Sequence, residues 1–138
     1  MSSDNNDNNV LEQNDENVVK EVAEYILFLL PIVEQGFEYV SAQIKTGKVE
    51  DSTAILEELA KAISSVSSAM ETVFIEQDIL KDLKKSLKDF KETVRKLIPL
   101  YASNDLEILS AVLNEEIIPS FKSFKDELES AIANLNLK

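Results

Sequence analysis

The chain contains no histidine, no cysteine and no tryptophan, and it has only two glycines and three prolines in 138 residues. Without histidine there is no Ser-His-Asp or Cys-His arrangement, no imidazole general base, and none of the Glu-x-x-His pairs that hold metal in di-iron bundles. Without cysteine there is no disulfide framework, thiol nucleophile or thiolate metal site, which suits a reducing compartment and points to the cytoplasm. Gly36 and Gly47 stand apart and form no glycine-rich phosphate loop.

Long hydrophobic runs are missing too. The longest, Tyr25 to Val33, is bounded by Glu24 and Glu34, whereas a membrane helix needs about 20 apolar residues. No membrane span is expected. Met1 is followed by acidic and amide residues instead of a basic and then an apolar segment, so no secretory leader is expected either. Positive charge is scarce: 14 basic against 26 acidic residues give a net charge of −12. That balance excludes nucleic acid or an anionic membrane as the main partner, because both are bound through clustered cations. Thirteen of the basic residues are lysine, the mark of an AT-rich bacterial genome.

What is present is helical patterning. Leu80, Leu83, Leu87, Phe90, Val94 and Leu97 follow one another at alternating steps of three and four, a heptad seam of the kind found in coiled coils and bundles. Val19, Val22, Ile26, Leu29, Val33, Phe37, Val40 and Ile44 give a first helix over about 16–45, which Thr46-Gly47 ends. Leu56, Leu59, Ile63, Val66, Met70 and Val73 give a second over about 49–75. A third, over about 78–101, starts with Asp78 as its cap and stops near Pro99; a fourth, over about 104–135, starts at Asn104 with Glu107 completing a capping box. The break between helices 2 and 3 has neither glycine nor proline, and a single helix of about fifty residues paired with a second chain is the competing reading.

The composition and short connections predict an all-α fold, an up-down-up-down four-helix bundle over 16–138. Residues 1–15, rich in Asn and Asp and without apolar periodicity, are expected to form a disordered tail.

Candidate sites follow from irregularities. Pro31 and Pro119 fall inside helices 1 and 4, each removing a backbone hydrogen bond at a cost of about 3 kcal/mol. As kinks at one height they would splay the two helices and open a groove lined by Phe28, Leu30, Ile118, Phe121 and Phe124, fit for a protein partner or for self-association. Phe28 and Leu30 lie off the helix 1 seam and are the expected outward face of its all-apolar segment. Helix 3 is the one basic element, with seven basic and three acidic side chains; Lys81, Lys88 and Arg95 recur every heptad as a charged stripe. The small residues around helix 2, among them Ala60, Ala62, Ser64 and Ala69, predict close packing of that helix. No cofactor and no metal are expected. The only chemistry within reach is that of carboxylates: Glu21 and Glu24 have the spacing of Mg- or Mn-dependent hydrolases built on helical bundles, the enzymatic alternative to an interaction module.

The hairpin of the first two helices, with Pro31, Gly36 and Gly47 followed by Val49, Ala54 and Leu56, resembles small uncharacterised acidic helical-bundle proteins of Gram-positive bacteria. Over residues 17–74 it is also similar to flagellar and secretion export chaperones. The resemblance implies a non-enzymatic adaptor or chaperone-like protein that holds an amphipathic partner segment.

Overall fold

Each helix ends where the sequence supplies a specific backbone device, and these ends set the bundle. The structure is a computed structural model that describes residues 2–137, with side chains from residue 16 onward. The expected tail over 1–15 lies outside the residues whose side chains are described. Helix α1 spans Ser2–Lys45 and α2 spans Val49–Val73. Between them Gly47 takes φ 81°, while its N–H donates to Ile44 O (3.1 Å) and that of Lys48 donates to Gln43 O (2.8 Å). This is the paired 5→2 and 6→1 arrangement that closes a helix with a left-handed glycine.

Helices 2 and 3 are separate. Phe74 leaves α2 in an extended conformation and buries its ring fully, so core burial makes the break that glycine or proline would otherwise make. Helix α3 covers Gln77–Arg95, capped at Glu76 without a side-chain bond, and Asp78 sits in its first turn; the expected cap at Asp78 is two residues late. Proline sets the next break. Pro99 would leave the carbonyl of Arg95 without a donor, and the helix stops at Arg95 and restarts as α4, Leu97–Ser103, with Pro99 in its first turn, where no N–H is required.

Asn104 then adopts the left-handed conformation (φ 57°) and closes α4, while Asp105 caps α5, Leu106–Val112, by accepting from Ile108 N at 3.2 Å. The cap is thus one residue later than expected, because Asn tolerates positive φ better than most residues and takes the turn, leaving the capping to Asp. The fourth rod continues through a π-turn, Leu113–Ile117, into α6, Ile118–Asn134.

These segments form four rods. Rod one is α1, rod two α2, rod three α3–α4, and rod four α5, the π-turn and α6. Rod one neighbours rods two and four, and rod three neighbours four and two, as an up-down-up-down bundle requires. Its core is a ring cluster, Phe37, Phe90 and Phe121, with centroids 5.4–5.8 Å apart. Around it α1 contributes Ala23, Ile26, Leu30, Val33, Val40 and Ile44. No described helix is long and apolar enough to cross a membrane.

Candidate functional site

The groove expected between helices 1 and 4 is filled. Leu30 is fully buried, and Ile118, Phe121 and Phe124 are buried as well, so Leu30 belongs to the core and not to an outward face. Phe28 points the other way and is 66% exposed. Nor do the prolines share a level. Ser41 of α1 donates to Oδ1 of Asn114 at 3.0 Å, and beyond the π-turn Phe37 packs on Phe121 at 5.7 Å, so Pro119 lies near the level of Tyr39, roughly 10 Å along the axis from Pro31. Each proline is absorbed locally. Helix α1 runs through Pro31 without interruption. Ahead of Pro119 the π-turn widens the ladder, Ile118 N bonding to Leu113 O, which relaxes the crowding between the proline ring and the preceding carbonyls.

A groove does open elsewhere, between α2 and the α3–α4 rod. Its volume is about 630 Å³. On the α2 side the wall is thin, because Thr53, Ala60 and Ser64 present little side chain there; Phe90 and Val94 form the α3 wall, and Phe37 reaches through from α1 as part of the floor. The Pro99-enforced restart re-aims α4, burying Leu97 and leaving Ile98 69% exposed at the mouth. One end is closed by Tyr101, whose hydroxyl lies 2.8 Å from the buried Ser52 hydroxyl, which also bonds to Val49 O at 2.6 Å. Burial holds the Tyr101 phenol above its ordinary value, and the Ser52 hydrogen bond offsets part of that effect. The small residues of α2 therefore shape the groove. The close approach of α2 to α1 is made by a small residue of α1, Gly36, beneath Leu59, whereas toward α3 the small side chains of α2 leave space.

The rim is charged asymmetrically. Lys91 and Arg95 stand on the α3 side and Glu57 on the α2 side. Farther along the same seam a smaller hollow of about 320 Å³ is lined by Ser67, Glu71, Lys84 and Lys88. Lys84 pairs with Glu71, whereas among the described residues Lys88, Lys91 and Arg95 have no ion-pair partner. Of the sequence stripe, Lys88 and Arg95 line this seam and Lys81 is exposed outside it.

The carboxylates do not converge. Glu21 and Glu24 are exposed on α1, and Glu116 is paired with Lys96 at 2.7 Å. Among the described residues no group of three or more acidic side chains is placed to hold a metal ion.

No curated protein and no solved structure matches the chain at a significant level. One family does match, over residues 21–127, from within α1 to the middle of α6, and so includes both walls of the groove and the π-turn. The chain belongs to that family, described as a domain of unknown function, DUF8042.

Proposed function

We propose that the protein is a non-enzymatic interaction module that takes an amphipathic, acidic-edged helix of a protein partner into the groove between α2 and α3–α4. The observation that carries this reading is the combination of an apolar floor with the unpaired cations Lys91 and Arg95 on its α3 rim, continued by Lys88 in the neighbouring hollow. A groove of this volume takes about two or three large side chains, the anchors an amphipathic helix presents at i, i+3 or i+4, and i+7. The cations would then meet acids on the edge of that helix nearest α3, setting orientation and rate of encounter more than affinity. No aromatic residue interleaves with the Lys81, Lys88 and Arg95 stripe, and with a chain of −12 this suits a protein better than a nucleic acid. A cysteine-free chain of this kind suits the cytoplasm, and holding an amphipathic segment is what its resemblance to export chaperones implies.

The test is comparative capture from native lysate. Ala60 is exposed at the groove wall, so Ala60→Arg should fold normally and obstruct the groove, while Lys88→Glu with Arg95→Glu should reverse the rim. Proteins held by the wild type and lost by both variants support the proposal. Recovery of the same proteins in equal yield by all three would sink it.

A further inference from the structure

The groove leaves a second surface unexplained. On the solvent side of α1, away from the core seam, Val18, Tyr25, Phe28, Ile32 and Tyr39 form a continuous exposed stripe. Their steps are seven, three, four and seven, a heptad pattern on a face that no other rod covers. Phe28 and Tyr39, at 66% and 57% exposure, are the largest contributors. The bare parts of the five side chains amount to about 500 Å² of mostly apolar surface, at the upper end of what a monomer leaves uncovered. With the flanking Glu21, Glu24 and Gln35 the footprint approaches the ~800 Å² per partner of a standard interface.

The stripe is symmetric about its own midpoint. Turned end for end about a point between Phe28 and Leu29, position 18 falls on 39 and 25 falls on 32, with Phe28 beside its own copy. An isologous interface requires this self-match. The charged edge matches as well. Lys20 and Glu38 are exposed and about five turns apart, hence on one edge of the helix. In the same end-for-end pairing Lys20 of one copy comes within one residue of the level of Glu38 of the other, twice per pair. Among the described residues neither side chain has an ion-pair partner within its own chain.

We infer that the outer face of α1 binds a second copy of this chain, antiparallel, about a two-fold axis at Phe28. The net charge of each chain opposes pairing, but at physiological salt the interaction of exposed charges fades beyond about 8 Å. The apolar stripe and its two edge ion pairs then decide the outcome.

Light scattering coupled to size exclusion, at physiological salt, tests the assignment. The wild type should be a dimer and Phe28→Glu, altered at an exposed position, a folded monomer by circular dichroism. Lys20→Glu and Glu38→Lys should each weaken self-association by about three- to tenfold. Mixed together, these two variants should pair with each other in preference to themselves, since residue 20 of one then meets residue 38 of the other with opposite sign; parallel pairing, which already sets like charges together in the wild type, gives no weakening in either single variant. A wild type that stays monomeric well above micromolar concentration, a dimer untouched by Phe28→Glu, or a mixture without preference overturns the proposal. So does a monomer whose stripe binds a cationic amphipathic peptide instead.

Discussion

Gly36 of α1 lies so close beneath Leu59 of α2 that a Cβ at position 36 would collide with Leu59 Cδ2 and come to 3.3 Å from its Cγ and Cδ1. In an unobstructed helix, replacing glycine by alanine stabilises by about 1 kcal/mol. Here the Leu59 Cδ2 methyl must move aside within a packed helix contact, and overpacking of this kind costs about 1–3 kcal/mol. Gly36→Ala should therefore destabilise the wild type slightly and stabilise the Leu59→Ala variant by about 1 kcal/mol. A double-mutant cycle from urea melts measures that change of sign; the same effect in both backgrounds would mean the contact is slack.

The ring cluster separates core from surface among the phenylalanines. Phe90 packs on Phe37 and Phe121 at 5.8 and 5.4 Å between centroids, and Phe90→Ala should cost about 3–5 kcal/mol. Phe28→Ala, at an exposed position, should cost within about 0.5 kcal/mol in the monomer. Chemical denaturation at low protein concentration compares the two.

Tyr101 gives the fold an alkaline limit. Its phenol is held above the ordinary value of 10.0, chiefly by burial. Folding therefore favours the protonated form; the associated stability is intact below the unfolded value and is lost as pH rises from about 10 through the raised folded value. Tyr101→Phe should lower the melting temperature near neutrality, through loss of the bond to Ser52, by the equivalent of about 0.5–1.5 kcal/mol. It should also flatten the decline above pH 10. A parallel decline in wild type and variant would assign the alkaline transition to other groups.

Much of this architecture can be read from spacing. The seam from Leu80 to Leu97 and the stop at Thr46-Gly47 are local features, and local rules suffice for them. The exposed and buried faces of α1 are harder, because Tyr25 to Val33 is apolar all round and supports more than one phase. The buried set runs Ala23, Ile26, Leu30, Val33, Phe37, Val40 and Ile44, itself an unbroken three-four pattern that puts Leu30 inside. The groove was hidden for a different reason. Alanine and serine on α2 are equally compatible with a neighbour drawn close and with a neighbour held off, and only the course of α4 after Pro99 decides between them. The break at Phe74 carries no local signal, since tertiary burial makes it. The π-turn did leave a trace: Leu109, Leu113, Ile117 and Phe121 are spaced by three consecutive steps of four, one residue more than a heptad allows.

Millimolar magnesium or manganese should leave the melting temperature unchanged, because the described carboxylates stand apart and bind no ion in concert. A ligand with preference for the folded state raises that temperature in proportion to its occupancy. An upward shift in differential scanning fluorimetry would favour the carboxylate hydrolase over the interaction module.

The π-turn also bears on how the chain can change in length. A turn with one surplus residue advances the rod while preserving the phase of the faces on either side, so α5 and α6 each keep their own buried stripe. Removing one residue from α2 would rotate every later side chain by about 100° and turn core positions outward. Removing Glu115, which is exposed within the π-turn, would restore an ordinary ladder with both faces still in phase. In that restored ladder Pro119 would carry the mid-helix cost of about 3 kcal/mol, so the deletion alone should be costly and the deletion with Pro119→Ala nearly neutral, as thermal melts of the two would register. Surplus residue and proline thus behave as a linked pair, in which neither change is tolerated as easily as both together.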